Sequence, residues 1–496
     1  MMELREHDTE TKTFVGVVAI TGAAQFMAGL DNLVVTTALP VIRLRLHAGL
    51  AGLEWTVNAY TLSFAVLLLA GAALGDRVGR RRMFVAGIAL FTAASAASAL
   101  APNVDALIAA RAMQGAGGAL IVPLSLTLLS ASVPPNRRNL ALGIWGAIGG
   151  LAIAIGPLVG GAVVEGVSWQ WIFWLNVPIG LVLLPFARFG LHESHGEHRQ
   201  FDVIGTALAS AGLFGIVFGL VRGGSVGWGS TEVMSSLLIG AALVLAFIFY
   251  ERSSEAPMLP IELFKSRQFS LVNVIAMFMS FGMFGSIFLL AQFLQTVQHY
   301  SPLSAGLRTL PWTGMPILIA PLAGVLVGRF GARLLVGIGL GLQALGLGWF
   351  AFVLTPTTPY IDAVPAFVIA GIGMSLFFVP VASIVLASVP KNREGIASGT
   401  NNAVRELGGV LGVSVLGALF ASFGGYASGT VFVDGLIPAV SVGAGVVALG
   451  ALLTMLLPRG SGQVTPETMT TEALRWEEPL DAPMFRPVYD ASESRL

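Results

Sequence analysis

The sequence predicts an all-α integral membrane protein, with fourteen transmembrane helices in two parallel six-helix repeats and two extra helices between them. Three observations carry this. First, 55% of the 496 residues are hydrophobic and only 11% are charged, with mean hydropathy +0.81. A soluble domain carries about a quarter charged residues, so there is too little polar surface to cover a water-soluble globule. Second, apolar runs of about 20 residues, the length that crosses a bilayer, recur from Thr13 to Leu457, bounded by Pro, Gly or charge. Third, the chain repeats itself. SVPPNRRNLALG (Ser132 to Gly143) returns as SVPKNREGIASG (Ser388 to Gly399), offset 256, and AALGDRVGRR (Ala72 to Arg81) returns as GVLVGRFGAR (Gly324 to Arg333), offset 252. Two echoes at nearly one offset, on the same side of the membrane, predict a parallel repeat.

The expected spans are 14–38, 54–74, 83–100, 105–130, 141–164, 171–190, 203–221, 233–250, 270–297, 304–327, 334–354, 363–388, 396–421 and 435–457. They divide the chain into an N-terminal six-helix bundle (1–190), a linker with two additional spans (191–267), a C-terminal six-helix bundle (268–457) and a polar tail (458–496). The tail is rich in Pro, Glu and Thr and is expected to be disordered. Basic residues alternate sharply between the two sets of loops, 21 on the set that includes both termini against 3 on the other, with Arg111, Arg308 and Arg405 inside helices. The positive-inside rule then places both termini in the cytoplasm and implies an even number of spans. The polar N-terminus has no cleavage-site pattern, so the first apolar run is expected to be a retained helix.

Composition also excludes several activities. Net charge is zero, giving no reason to expect a nucleic-acid partner, and with no cysteine there is no disulfide or thiol chemistry. No lysine follows a glycine, so there is no phosphate-binding G-x-x-x-x-G-K-[ST] loop. No H-E-x-x-H zinc motif or serine–histidine constellation stands out, and no resident metal is expected. His192, His195 and His198 fall in a polar loop, where a solvated surface explains them better than metal binding.

Four segments carry more specific information. Gly75-Asp76-Arg77-Val78-Gly79-Arg80-Arg81-Arg82 joins helices two and three. Its Asp and arginines around a tight turn form a latch that can grip a neighbouring helix C-terminus and release when helices rock. Leu30-Asp31-Asn32 with Ala38-Leu39-Pro40 lies in helix one, and Arg111-Ala112-Met113-Gln114-Gly115-Ala116-Gly117-Gly118 in helix four. Gly156-Pro157-Leu158-Val159-Gly160-Gly161 lies in helix five, where Pro removes a backbone donor and the glycines allow bending and close helix approach. Together with Trp169-Gln170-Trp171 and Asn176-Val177-Pro178, these resemble the major facilitator superfamily, and within it the fourteen-span drug:proton antiporters. The chain departs from the family pattern at Ala72, Gln170 and Gly328, the last of which replaces the latch Asp in the second half. That replacement predicts a weaker or absent second latch.

The resemblance implies an antiporter that exports hydrophobic, cationic compounds from a bacterial cell across the cytoplasmic membrane. It would be driven by the proton gradient with no cofactor, its partners being protons, small hydrophobic substrates and the lipid bilayer, and it would act as a monomer. The Gly-Pro segment of helix five speaks against an importer. A dedicated exporter of one metabolite, antibiotic or lipid, or a non-transporting membrane protein on the same fold, would carry the same motifs.

Asp31, Arg111, Arg405 and Glu406 are the ionisable residues expected deepest in the membrane. Burying one costs about 2.5–3.5 kcal/mol on insertion scales, so such residues should face one another or a cavity. At 1.5 Å per residue, Asp31 would lie ~8–10 Å and Arg111 ~9 Å below the outer surface, within pairing reach, with Glu406 ~15 Å from the opposite surface. Asp31 is the expected proton carrier with Arg111 as modulator, because a change in their separation would take up a proton on one side and release it on the other. Glu406, beside Arg405, is the second candidate, as a proton site or as counter-charge to a cationic substrate. Static ion pairs would use the same residues. Met277, Phe278, Met279, Phe281, Met283, Phe284 and Phe288 of helix nine offer adaptable apolar surface for ligand or for lipid. Tyr60, Gln114, Gln292 and Asn402 are expected to supply polar contacts to the substrate, with Phe281 among the apolar ones.

Overall fold

A computed structural model describes residues 2–134, 137–196, 202–254, 257–390 and 393–458, with side chains from Phe14 onward except at positions 139 and 225. The expected disordered tail from residue 459, and His198, lie outside the described residues. Among the described residues the chain is helical without strands, and fourteen helices are long and apolar enough to cross a membrane. The protein is a multi-pass membrane protein.

The helices are α1 Met2–Arg45, α2 Leu50–Val78, α3 Arg80–Ala99, α4 Val104–Ser132, α5 Arg138–Gly166, α6 Trp171–Gly190 and α7 Val203–Val226. They continue as α8 Thr231–Ser253, α9 Arg267–Val297, α10 Pro302–Phe330, α11 Ala332–Val353, α12 Tyr360–Ala387, α13 Glu394–Phe423 and α14 Gly429–Leu456. Several begin where a polar side chain caps the first turn: Asn103 for α4, Asp202 for α7, Ser230 for α8, Ser266 for α9, Ser301 for α10 and Ser428 for α14. Most outrun the apolar stretches that predict them. α1 is the clearest case, continuing past residue 38 to Arg45, so that Arg43 and Arg45 form its last turn and are not loop residues. Asp31 is consequently about 21 Å from that helix end, and not the ~8–10 Å expected from the apolar run.

The packing repeats along with the sequence. α1 lies on α5, α3 on α4, α2 on α4 and α3 on α6; in the second half α9 lies on α13, α11 on α12, α10 on α12 and α11 on α14. The halves meet where α5 lies on α10 and α2 on α13, two contacts exchanged by the same correspondence. The two extra helices pack on each other, and α7 also touches α2 and α13, covering one of these seams.

Small residues make the close approaches. On α13, Gly408 faces the Met277 carbonyl and Gly412 the Phe281 carbonyl, leaving no space for a side chain at either. Met279, Met283 and Phe288 are buried in the hydrophobic core, so α9 spends much of its Met/Phe surface on helix packing. In α5, Gly160 is pressed against Thr37 and the Val34 carbonyl of α1. On its other side, Gly161 meets Pro302 and Leu303 of α10, and Gly306 meets the Pro157 carbonyl. The Gly156–Gly161 segment is thus where α5 touches both α1 and the opposite half.

The latch sequence lies at one end of the bundle, here termed the basic end. Gly79 turns the chain between α2 and α3 with φ +123°, a conformation that side chains other than hydrogen disfavour. Asp76 accepts from Arg80 Nε at 2.7 Å, while the Arg81 amide donates to Glu193 at 2.9 Å. The Arg81 and Arg82 Nε atoms lie 3.6 Å from the same carboxylate. Arg81 also donates to the carbonyl of Leu191, which caps α6, so the loop does grip a helix C-terminus, as its charge pattern predicts. Arg77 is exposed and takes no part in this grip. The polar segment after α6 is not wholly solvated: His192 and His195 are exposed, but Glu193 between them is held by the latch. The second half retains more than expected. Gly331 also has positive φ (80°), and Arg333 donates at 2.6 Å to the Met455 carbonyl at the end of α14. Losing the Asp at Gly328 removes the charged part of the latch and leaves the arginine-to-carbonyl part.

Gly412→Leu should force α9 and α13 apart. Overpacking of this kind costs about 1–3 kcal/mol, visible as a lower melting temperature of the detergent-solubilised protein. Gly324→Leu, at a position with open space around it, should leave that temperature unchanged.

Candidate functional site

Five helices bring polar side chains to one buried point. Asp31 on α1 and Arg111 on α4 form a direct ion pair, both essentially without solvent exposure (0% and 1%). Gln114, one turn after Arg111, accepts from its Nη1 at 2.9 Å and donates to Asp31 Oδ1 at 2.7 Å. Asn176 at the start of the long part of α6 donates to the same oxygen at 2.9 Å. Ser95 on α3 receives Asn176 at 3.1 Å and Gln114 at 3.2 Å, and passes its own hydrogen to the Phe173 carbonyl at 2.9 Å. Arg111 is further held by the Thr56 carbonyl on α2 at 3.2 Å and lies 4.3 Å from the Tyr60 ring centre. The Tyr60 hydroxyl donates to the Ala28 carbonyl at 3.2 Å. Breaking such a pair by removing one partner costs about 3–5 kcal/mol, because a buried charge is left uncompensated.

The glycines after Arg111 allow this assembly. Gly115 sits against the Tyr60 carbonyl and Ser63 of α2, and Gly117 against the backbone of Phe91 on α3. α4 therefore approaches both neighbours closely enough for Arg111 and Gln114 to reach across them.

Glu406 lies outside this network but near it. Asn32, the residue after Asp31, reaches its carboxylate, and Asp31, Arg111 and Glu406 all lie within electrostatic reach of the Tyr60 hydroxyl. Glu406 is buried and its Oε2 has no hydrogen-bond partner. Arg405 does not close a salt bridge to it. Its guanidinium turns to the ring of Phe378 on α12, 5.0 Å away.

A cavity of about 1480 Å³ opens at the basic end, bounded by the second halves of α2 and α4, the start of α13, and the segments joining the extra helices to the second half. Its wall mixes apolar groups (Leu68, Val122, Phe264, Ile396) with charge (Asp76, Arg80, Asp202, Glu251, Lys265, Arg393). Of the residues expected to face substrate, Asn402 lines this cavity. Tyr60 and Gln114 instead point into the Asp31 network, and Phe281 packs with α13 through its backbone. Gln292 lies near the opposite end, where its carbonyl oxygen accepts from the Tyr426 hydroxyl. Two polar contributors to the network, Ser95 and Asn176, were not expected. Asn176 stands in the recognised Asn176-Val177-Pro178 segment, but Ser95 sits in a run of small residues with no signal of its own.

At the end opposite the cavity the two halves are in contact. Gln295 of α9 donates to the Thr37 carbonyl of α1 at 2.9 Å, Asn58 of α2 to Ser414 of α13 at 2.9 Å, and the Leu303 amide of α10 to Glu165 of α5 at 3.0 Å. The conformation is open at one end and sealed at the other.

Comparison with known proteins agrees with this geometry. The sequence model of the Major Facilitator Superfamily matches residues 21–413. The chain is 37% identical over 401 residues to a tetracenomycin C resistance and export protein of Streptomyces glaucescens, covering 80% of this chain and 74% of that one. It is 35% identical over 405 residues to the multidrug resistance protein Stp of Mycobacterium tuberculosis, covering 81% and 75%. Among solved structures, a POT family transporter superposes with TM-score 0.67 at 15% identity, over 90% of this chain and 96% of that one. A D-xylose–proton symporter superposes with TM-score 0.62 at 16% identity, over 91% and 99%. The fold, the repeat and the motifs are those of one transporter family: the chain belongs to the major facilitator superfamily.

Proposed function

We propose that this protein is a proton-coupled antiporter that exports hydrophobic, cationic compounds by alternating access across the cytoplasmic membrane of a bacterium. The observation that carries the reading is the buried Asp31 site. Three donors (Arg111, Gln114 and Asn176) converge on one carboxylate. A proton added to Asp31 removes its negative charge and places a hydrogen on one oxygen, which weakens its hold on Arg111. Arg111 keeps other partners when that happens, namely the Thr56 carbonyl, Gln114 Oε1 and the Tyr60 ring. The site therefore has two satisfiable arrangements, as a proton carrier needs. Because the network joins α1, α2, α3, α4 and α6, switching between them re-sets the contacts of most of the first half.

Relatives named for antibiotic and multidrug export support the export direction. With the basic end in the cytoplasm, the cavity faces the side from which an exported compound enters. Exchange of one proton for one monovalent cation moves no net charge and draws only on the pH gradient, about 1.4 kcal/mol per unit. A second carboxylate would add the voltage, about 2.3 kcal/mol per 100 mV. Glu406, buried between the two halves with an unpartnered oxygen, is our candidate for that second charge or for the counter-charge to a cationic substrate. The names of some relatives, tetracenomycin C export and actinorhodin transport, favour a second reading, in which a single antibiotic-like compound is the substrate. A panel of competitors separates the two: one effective competitor among many points to a dedicated exporter, and many to a multidrug pump.

Ethidium added to the purified protein in detergent should release protons. Asp31→Asn should abolish that release while ethidium still binds; undiminished release from this variant would overturn the carrier role. Glu406→Gln should weaken ethidium binding by about tenfold, equivalent to about 1.4 kcal/mol, and leave binding of a neutral competitor unchanged. An equal loss for both ligands would mean that Glu406 shapes the site without acting as a counter-charge.

A further inference from the structure

A second buried carboxylate lies on the sealed seam. Glu54 occupies the second turn of α2, only 1% exposed, and its Oε1 has no hydrogen-bond partner. The seam is shaped around it: the position a side chain would take at Gly417 of α13 is filled by Glu54 Oε1. One turn further along α2, Asn58 crosses the same seam to Ser414, and Asn58 Oδ1 is likewise buried without a donor. Among the described residues, the groups brought to this end by the neighbouring elements do not supply a counter-charge in contact. Arg43 of α1 lies over the Tyr426 ring at 3.7 Å, and Tyr426, from the turn between α13 and α14, donates to Gln292. Arg111 of α4 is engaged by Asp31, and Arg222 of α7 bonds Glu232 at 3.0 Å. Asp105, in the first turn of α4, is acidic like Glu54 itself.

An ionised carboxylate buried in that setting bears a desolvation cost with no adjacent cation to offset it. A protonated one bears far less, and its O–H can serve one of the acceptors on the seam. Parting of α2 from α13 would return the same group to water, where the ionised form is well solvated.

We propose that Glu54 is a proton-binding site that gates the end opposite the cavity, closing of the α2–α13 seam taking up a proton there and opening releasing it. The site is distinct from Asp31, which belongs wholly to the first half, whereas Glu54 is held by residues of both. It rests on the alternating-access reading, since it requires the sealed end to open. Chemically it is a lock operated by the acidity of the medium on that side: acid favours the sealed state, and alkali favours separation.

The chain has no cysteine, so labels can be placed at will. Nitroxides at Leu100→Cys and Thr357→Cys, in loops of opposite halves at the sealed end, report the distance across it by pulsed electron resonance. In the otherwise unchanged protein in nanodiscs, one proton taken up on closing makes the open-to-closed ratio rise by up to about tenfold per pH unit. Glu54→Gln, which keeps the shape and cannot ionise, should hold the end closed and remove one proton from that dependence, in both the Asp31 and the Asp31→Asn backgrounds. Gly417→Ala, which places a methyl group where Oε1 sits, should shift the distribution towards open at every pH. A Glu54→Gln variant with the same pH dependence as its parent would overturn the proposal. A distance that never changes in any variant, with pH or with ethidium, would instead overturn alternating access itself.

Discussion

A charge taken out of water must meet an opposite charge or an ordered set of dipoles, and the first half of this protein is arranged around that requirement. Asp31 and Arg111 come from helices that are far apart in sequence and cannot be satisfied separately. Their pairing fixes the rotation of α1 against α4. Gln114, Asn176 and Ser95 then complete the shell and fix α3 and α6 as well. In a bilayer, where apolar burial gives helices little reason to prefer one face over another, a network of this kind supplies the missing orientation. The glycines around Arg111 are its corollary, because a guanidinium can reach two neighbouring helices at once only when the helix backbones nearly touch.

The two contacts between halves are related by the repeat but built from different chemistry. Where α5 meets α10, glycine and proline bring backbone against backbone, with Gly161 on Pro302 and Gly306 on the Pro157 carbonyl. Where α2 meets α13, the seam holds Glu54, Asn58 and Ser414. One contact is mainly backbone against backbone, with Glu165 accepting from the Leu303 amide at its edge. The other contains groups whose bonding depends on a proton. A symmetric architecture thereby has one face built mainly of backbone packing and another that carries a buried carboxylate oxygen without a hydrogen-bond partner.

The fold was legible because its causes are local and periodic. Runs such as 83–100 and 334–354 are long enough to span and too apolar for anything else, and the basic residues fall on alternate loops by 21 to 3 along the prediction. The echo of Ala72–Arg81 in Gly324–Arg333 survives in three dimensions as matching turns at Gly79 and Gly331. Asp31 and Arg111 were legible as a pair because charge in an apolar run has few explanations. The direction of an uncharged side chain was not. Tyr60 and Gln114 are residues that can line a cavity or complete a network, and only the rotation of α2 and α4 decides between them. The end of α1 was hidden because helix continues through Arg43 and Arg45 after the apolar run stops. Glu54 stood at the edge of a predicted span, where a carboxylate reads as solvated; its burial comes from α13, whose partner face no local pattern announces.

The difference between the two latches has a consequence beyond the loss of one aspartate. In the first half the loop is held by carboxylates, Asp76 and Glu193, set among arginines near the surface. In the second half the surviving grip runs from Arg333 to a neutral carbonyl. Mobile ions screen charge pairs near the surface over a Debye length of about 8 Å at physiological concentration, and weaken a contact to a carbonyl dipole much less. Ionic strength therefore acts mainly on one bundle, so that two halves of matching architecture differ in stiffness as the surrounding salt changes.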